Sequence, residues 1–424
     1  MVARLTLRLG MLIGVFATTI TVLPAHAADN CKDQKTEYPD QEYPEPTGGT
    51  GGTGEQSVNL SRATASEFSE SESTSHDPCG ATVTEGSGSQ AQDTAMTIGQ
   101  KINSFRGQSG SAKGKNKGQK TAFYFANLGG AAGADGDDNA LLDSSRISFF
   151  SFIDHTKRDR ETTVSSGGYD QESDSLTLGF DYRIDDTSFA GISISASDGD
   201  SKLDSQLGGS EVSSTMLGAH GAKYWDTHFI SAFLAYGAID IDVNRLTASD
   251  AFAASTDGGY WYGDLTFGAE YSYGPLRLSP SMRALFMSGE IDGYTESSAS
   301  GTGAVRRINT QDIDSNILSV ALQADYSFLQ SWGVLLPSMR AEFIFDQGDA
   351  YKTNGQTLDD SNKAVLANIS DQSDEPDSST LAVSWGVSAQ FKRGLATYVA
   401  YERLFLHDYM SKYTMTLGLR YELP

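Results

Sequence analysis

The sequence predicts an all-β fold, a transmembrane antiparallel β-barrel that extends from Arg146 to the end of the chain. In this region apolar residues alternate with polar ones in runs of up to about ten residues, so each run has one apolar face and one wet face. The composition agrees, because Gly (44), Tyr (19) and Phe (20) are frequent while Cys (2) and Pro (10) are rare. Such a mixture is typical of glycine-relieved strands with aromatic girdles.

Residues 1–27 are predicted to form a signal peptide. Arg4 and Arg8 precede an apolar run, and Ala25-His26-Ala27 fits an A-x-A site, so cleavage is expected between Ala27 and Ala28. An N-terminal membrane anchor is disfavoured because glycine and threonine interrupt the run. No later stretch reaches the roughly 20 apolar residues that a transmembrane helix needs. We therefore expect export to the periplasm, the outer membrane or the medium.

Residues 28–90 are predicted to be a disordered acidic segment. They are rich in Glu, Asp, Ser, Thr and Gly and cannot bury enough apolar area to offset their ordering entropy. The glycine run at 48–54 indicates a flexible linker, since no Lys-Ser or Lys-Thr pair follows that would make it a phosphate site. Cys31 and Cys79 could form a disulfide in an oxidising compartment or remain two unpaired thiols.

Residues 91–145 are predicted to be a linker that contains one amphipathic helix at about 93–106. Ala95, Ile98, Ile102 and Phe105 recur at helical spacing after an Asp93-Thr94 cap. The basic run Lys113–Lys120 that follows fits either a solvated loop or a specific contact. Residues 121–126 fit either a further strand or a plug element.

Twelve alternating runs are predicted to be the barrel strands. Their polar face carries Arg277, Arg283, Arg340 and Glu342, which a polar lumen permits and a dry sandwich core does not. Aromatic residues near the strand ends, such as Tyr260, Trp261, Tyr271 and Tyr273, suggest interface girdles. Pro280 and Pro337 are each expected to mark a local defect in the ladder. The predicted strands are 146–154, 174–183, 187–196, 211–224, 227–240, 259–273, 276–290, 314–328, 332–346, 379–391, 394–406 and 411–423, with long polar loops at 197–210, 241–258, 291–313 and 347–378.

The closing strand carries an outer-membrane assembly signal. Thr416, Gly418, Tyr421 and Leu423 match the polar-x-Gly-x-x-aromatic-x-apolar pattern of outer-membrane barrels, although Leu423 and Pro424 replace the usual terminal aromatic residue. Across 146–424 the chain also resembles the translocator domain of type V secretion autotransporters. The stretches that carry the resemblance are Gly168-Tyr169-Asp170, Leu176–Arg183, Tyr236-Gly237, Asp292–Ser297, Tyr401-Glu402-Arg403 and the closing strand.

This resemblance implies a twelve-stranded barrel with an α-helix threaded through the lumen and an N-terminal passenger exported to the cell surface. It also implies a Gram-negative outer membrane, contact with its lipid, the barrel assembly machinery and periplasmic chaperones as partners, and a monomeric barrel. The 93–106 helix would span about 20 Å of the pore at 1.5 Å per residue. Its basic continuation could then lie against lumen acids such as Glu270, Asp325 and Glu402.

The sequence predicts neither an enzyme nor a cofactor or metal site. The histidines are scattered without ligand spacing, and the tail lacks a G-x-S-x-G motif. The net charge of −24 argues against nucleic acid as a partner. Display of a short passenger is therefore the leading hypothesis, and without an Asn-Asn pair in the helix the tail is expected to stay attached. The alternatives are an outer-membrane pore or structural barrel with a periplasmic tail, and a small surface hydrolase that uses a tail serine.

Overall fold

Twelve long strands dominate the part of the chain that the structure, a computed structural model, describes. This part comprises residues 74–75, 85–98, 100, 146–163, 165–204, 208–391 and 394–423. The strands are β1 (Ile147–Arg160), β2 (Tyr169–Asp185), β3 (Ser188–Leu203), β4 (Gly208–Trp225), β5 (His228–Leu246), β6 (Ala251–Ala269), β7 (Leu276–Ile291), β8 (Ser315–Tyr326), β9 (Gly333–Asp346), β10 (Thr380–Phe391), β11 (Leu395–Phe405) and β12 (Met410–Glu422).

The strands form a closed antiparallel barrel, as predicted. Each strand pairs with its neighbours in sequence, and β1 closes the barrel on β12 in a ladder that runs from Ser148↔Glu422 to Arg160↔Met410. Short connections such as Asp226-Thr227 alternate with long ones. We call the two ends the turn end, where β1 starts and β12 finishes, and the loop end.

Burial is inverted relative to a soluble protein. Outward residues such as Ile194, Leu217 and Leu234 are more than half exposed, whereas the alternating inward residues Ser195 and Thr177 are buried. An apolar exterior around a polar lumen is the arrangement that a bilayer requires of a spanning barrel. The predicted alternation is therefore confirmed.

The outward face becomes charged towards the loop end. In β5 the apolar positions Ile230, Leu234 and Tyr236 are followed on the same face by Asp240 and Asp242. This strand has 19 residues and is about 60 Å long. A tilted strand needs only about 9–11 residues to span a membrane. This wall of the barrel therefore extends beyond the bilayer at the loop end.

The aromatic girdle prediction is partly wrong. Trp261, Tyr271 and Tyr273 are 53%, 43% and 63% exposed, as an interface position requires. Tyr260 is 1% exposed and packs in the lumen instead. The reason is the pleat, which places neighbouring residues of a strand on opposite faces.

The two strand prolines mark ladder defects, as predicted. Pairing of β7 with β6 stops at Gly268↔Ser281, one residue before Pro280 is reached, and resumes in the short strand Tyr271–Tyr273. Pairing of β9 with β8 likewise stops at Ser338 and resumes at Phe328–Gln330, so Pro337 is skipped. Because proline has no N–H to donate, each interruption lies where the ladder would need one.

A helix, α1, covers residues 85–98 and residue 100 is also helical. The predicted start at Asp93 is wrong, because Asp93 and Thr94 lie inside the helix rather than capping it. The predicted C-terminal end lies outside the described residues, as do the signal peptide with Ala27 and Ala28, Cys31 and Cys79, the basic run 113–120 and residues 121–126. Among the described helical residues there is no segment long and apolar enough to cross a membrane.

Two of the predicted long loops contain a sheet at the loop end. Its strands lie in the order Tyr294–Thr295, Ala304–Ile308, Lys352–Asp359 and Val365–Gln372, and Thr74–Ser75 adds to the last of these in parallel. We call this the surface sheet. The prediction of loops without strands at 291–313 and 347–378 is therefore wrong, because these strands are short and polar and give no long alternating run.

A carboxylate–hydroxyl cluster ties the β5–β6 loop to the β7–β8 connection and should respond to pH. Hydrogen bonds from the hydroxyls of Ser298 and Ser300 lower the pKa of Asp250 to about 2. Since the folded pKa lies below the ordinary 3.8, the contribution is fully present above pH 3.8 and disappears as the pH falls towards 2. Protection factors of the amides around Ser300, which correct for the slower intrinsic exchange at low pH, should therefore fall in this window. In Ser298→Ala/Ser300→Ala the loss of protection should begin nearer pH 3.8, and an unchanged profile would contradict the assignment.

Candidate functional site: the helix-filled lumen

Asp93 anchors α1 to the seam between the first and last strands. Its carboxylate lies 2.5 Å from Nη2 of Arg158 on β1 and 2.5 Å from Nζ of Lys412 on β12. The Arg158 side chain is 4% exposed and that of Asp93 12%. Arg158 also donates to the Ser89 hydroxyl, one helical turn earlier. One helix carboxylate thus bridges two lumenal cations, one on each side of the seam.

Arg160, two residues further along β1, binds the first described turn of the helix. Its Nε lies 2.7 Å from Glu85 and its Nη2 lies 2.6 Å from Asp374, which belongs to the β9–β10 connection. The guanidinium also donates to the Gly167 carbonyl and stacks on Tyr409, 4.7 Å from the ring centroid. A fully buried arginine therefore joins the helix to three loop-end segments.

Polar contacts also hold the adjacent face of the helix. Gln90 donates to the Val212 carbonyl at 3.0 Å and accepts from Gln171 at 3.2 Å. Gly199 makes this approach possible, because a Cβ there would lie 2.4 Å from the Gln90 amide oxygen. Below it, the apolar helix residues join the largest buried cluster of the barrel: Ala91, Ala95, Met96 and Ile98.

A second charged cluster lies deeper in the lumen. Glu342 receives Arg283 at 2.8 Å, Arg340 at 2.9 Å and the Ser319 hydroxyl at 2.5 Å. Arg283 lies 3.6 Å from Asp264 as well, and both side chains are 2% exposed. These contacts confirm that the predicted lumenal charges Arg283, Arg340 and Glu342 point inward.

Arg277 pairs with acids near the turn end. It lies 2.9 Å from Asp325 and 4.0 Å from Glu270, two of the acids proposed as partners of the basic run. Asp325 and Glu270 thus already face a cation on the barrel wall. Contact of 113–120 with these acids or with Glu402 lies outside the described residues and stays a prediction.

The helix runs from the loop end towards the turn end. Glu85 meets Arg160, the last residue of β1. Thr97 and Gln100 instead line a cavity of about 50 Å³ with Gln323 and Ser338, which lie close to the turn end of β8 and β9. A larger cavity of about 140 Å³ flanks the half of the helix nearer the loop end, which we call its upper half. The part of the lumen that α1 occupies is thus not filled completely.

A family model, the autotransporter beta-domain, matches residues 149–402, more than half of the chain. The chain belongs to the autotransporter β-domain family. Membership places the barrel in the outer membrane of a Gram-negative bacterium. Among curated protein sequences, no relative matches this chain significantly.

Three solved outer-membrane barrels match the chain to different degrees. The translocator domain of autotransporter NalP from Neisseria meningitidis aligns with a TM-score of 0.52 at 13% identity, over 66% of this chain and 89% of that one. The β-domain of the Bordetella autotransporter BrkA aligns with a TM-score of 0.48 at 15% identity, over 66% of this chain and all of that one. The Ralstonia pickettii toluene transporter TbuX, with a TM-score of 0.41 at 10% identity, covers 70% of this chain and 97% of its own.

The autotransporter closing strand places its four signal residues on both faces. Thr416 and Gly418 are buried on the lumen side, and Thr416 donates to Asp154 at 2.6 Å. Tyr421 and Leu423 are 37% and 39% exposed on the lipid side. Their role in assembly stays a prediction, since these contacts concern only the finished barrel.

Aromatic rings from a neighbouring strand pack directly over glycines in the autotransporter barrel wall. A Cβ at Gly237 would lie 2.3 Å from Cζ of Tyr260, which is 1% exposed. We expect Gly237→Ala to lower the unfolding free energy by about 1–3 kcal/mol, because overpacking displaces the ring. Urea unfolding of the refolded barrel measures this loss. A Gly237→Ala/Tyr260→Leu double variant should cost less than the sum of the single changes, and simple additivity would contradict the packing argument.

The anchors of the autotransporter helix were missed at the sequence level. Glu85 and Asp93 stand in an acidic stretch where single carboxylates carry no signal, and Asp93 has the position of a cap. Arg158 and Arg160 offered a clue, since both continue the inward alternation of β1 beyond its predicted end at 154. The two cationic partners of Asp93 lie 65 and 319 residues away from it in the chain.

Proposed function

We propose that the barrel is a translocator that carries its N-terminal segment through the lumen and displays it at the cell surface as a short passenger. The observation that carries this proposal is the direction of α1. Its first residues contact the loop end, while β1 begins at the turn end. In outer-membrane barrels the short turns face the periplasm and the long loops face outward. Because α1 starts at the outward-facing loop end, the residues that precede it would lie outside the cell.

The contacts of Thr74–Ser75 support the same direction. They pair with Asn368 and Ile369 in the surface sheet, which belongs to the loop end. The alternative, a pore or structural barrel with a periplasmic tail, requires these residues on the other side of the membrane. It would leave both this ladder and the Glu85–Arg160 pair unexplained.

The proposed translocator acts without chemistry of its own. We infer that it is not an enzyme, which its membership of a family of transport barrels supports, and that the tail remains attached, since the helix sequence has no Asn-Asn pair. Barrel insertion would use the assembly machinery and periplasmic chaperones, with Thr416, Gly418, Tyr421 and Leu423 as the signal. We propose a monomeric barrel, since the β1–β12 ladder closes it within one chain.

Surface display can be tested by protease shaving of intact cells. A protease site inserted after Gly54, inside the glycine-rich run, should be cut from outside, releasing the tail. The matched control carries the same site between Asp226 and Thr227, a turn-end connection, and should be cut only after the outer membrane is permeabilised. Protection of the Gly54 site in intact cells, with cutting after permeabilisation, would favour the periplasmic tail instead.

A further inference from the structure

The surface sheet has one closed edge and one open edge. At the closed edge, Tyr294–Thr295 leads directly into Ser297–Ser298, which pairs with barrel strand β6 through Ser297↔Ala253. At the other edge lies Val365–Gln372, eight residues long. Among the described residues, only Thr74–Ser75 pairs with its outer side, through Thr74↔Asn368 and Ser75↔Ile369.

The open edge lacks the usual protection against strand addition. Native edge strands are commonly blunted by proline, by lysine, by bulges or by being very short. Val365–Gln372 contains neither proline nor lysine, and its one register shift, at Leu366, is confined to the start of the strand, so Ala367–Gln372 is a regular and unprotected edge. Val365 and Leu366 are 55% and 54% exposed at its start. Such an edge is a template for an extended segment.

The tail can reach this edge from the mouth of the pore. Asp374, two residues beyond the edge strand, shares Arg160 with Glu85 of the helix. From Ile369 to Asp374 the sheet spans about 17 Å at 3.3 Å per residue. Glu85 lies ten positions after Ser75 in the chain, and ten Cα–Cα steps span at most about 36 Å. Emergence beside Arg160 and pairing at Ile369 are therefore compatible.

The tail sequence also suits pairing. No glycine or proline occurs from Glu55 to Asp77, and this stretch is rich in serine and threonine. Pro78 cannot donate to a ladder and Gly80 disfavours strand, so the compatible stretch ends between Ser75 and the helix. Thr74–Ser75 therefore lies at the end of the part of the tail that could extend along the edge.

We infer that Val365–Gln372 is a docking strand for the chain's own tail, which it binds in parallel at Thr74–Ser75 by strand addition. The docked tail is held against the surface sheet beside the pore instead of moving freely. This inference rests on the proposed surface display. The occupant is a segment of the same chain, since the nine-residue tether between Ser75 and Glu85 keeps its local concentration high.

A cysteine cross-link tests the docking in intact cells. Thr74→Cys/Asn368→Cys, in a Cys31→Ser/Cys79→Ser background, should form an intramolecular disulfide on mild oxidation and lose labelling by PEG-maleimide. Thr74→Cys/Ser361→Cys places the second thiol in an exposed turn of the same loop and should keep its labelling. Equal labelling of both pairs after oxidation would overturn the inference, and so would a disulfide-linked dimer, which would mean exchange between copies.

Hydrogen exchange of the full-length protein in lipid nanodiscs gives a second measurement. In a parallel ladder alternate residues bond to a given neighbour, so Thr74→Pro/Ser75→Pro removes whichever N–H faces the edge. Amides of residues 365–372 should then exchange faster, whereas Ser57→Pro/Val58→Pro should not change them. Exchange unaffected by the first variant would also overturn docking. If protease cuts the Gly54 site on intact cells but Thr74→Cys/Asn368→Cys forms no disulfide, docking is rejected and surface display is kept. If the Gly54 site is protected on intact cells, surface display itself is rejected.

Discussion

Replacing Arg283 by methionine should destabilise the barrel more than any single change at its surface. The substitution removes the cation that lies between the buried carboxylates of Glu342 and Asp264, so that these two negative charges repel each other. Removing one partner of a buried ion pair typically costs about 3–5 kcal/mol, because the remaining charge keeps its desolvation penalty. Urea titration of the refolded protein in lipid vesicles, followed by tryptophan fluorescence, measures the loss.

The matched control is Lys157→Met on the outer face of β1. Lys157 lies 2.9 Å from Glu172, but the two side chains are 38% and 58% exposed. Exposed pairs contribute at most about 1 kcal/mol, so this variant should unfold close to the wild-type midpoint. Arg283→Lys keeps the charge but not the planar fork and should lie between the two. Equal midpoints for Arg283→Met and Lys157→Met would refute the buried-cluster argument.

The barrel could be predicted because its signal is local. Each strand repeats an apolar residue at every second position, as in Leu176, Leu178 and Phe180, and the bilayer rather than a distant chain segment selects that face. The strand ends were less predictable. Beyond the membrane both faces are wet, so β2 begins at Tyr169, five residues before its predicted start, without an apolar signal.

The start of α1 could not be predicted from hydrophobic periodicity, because this part of the helix packs against polar residues of the lumen. A helix packed on a dry core carries an apolar stripe, but the upper half of α1 packs on a polar wall. Its buried residues Glu85, Ser87 and Gln90 therefore resemble an exposed tail in the sequence. The apolar stripe becomes visible only from Ala91 onward, which explains a predicted start that is eight residues late.

The two groups of lumenal ion pairs, one within the barrel wall and one between the wall and α1, should respond differently to mutation. The Arg283–Glu342 cluster joins strands of the wall, so its loss affects the barrel itself. The Asp93 and Glu85 pairs join the wall to the helix inside the lumen, so their loss affects occupancy of the pore. Stability of the barrel and closure of its lumen should consequently be separable by mutation.

Reversing the charge of Asp93 should open the pore while the barrel remains folded. Asp93→Lys replaces the one carboxylate that lies 2.5 Å from both Arg158 and Lys412, and so places three cations together. Breaking a buried pair at about 3–5 kcal/mol corresponds to a ~100-fold or larger rise in the fraction of barrels without a docked helix. Single-channel recording in planar bilayers should show the change as a higher and longer-lived conductance.

Gln92→Lys supplies the same charge one residue away. Gln92 lines the 140 Å³ cavity, whose wall includes Asp314, Asp346 and Asp349. The same wall includes Arg158 and Lys412, but carboxylates outnumber cations there and Asp93 keeps its two ion pairs, so the helix should stay docked and the conductance should stay low. Both variants should keep the gel mobility of the folded barrel before heating, because the β1–β12 ladder does not depend on α1. An unchanged conductance in Asp93→Lys would mean that the ion pairs at the seam do not hold the helix in the pore.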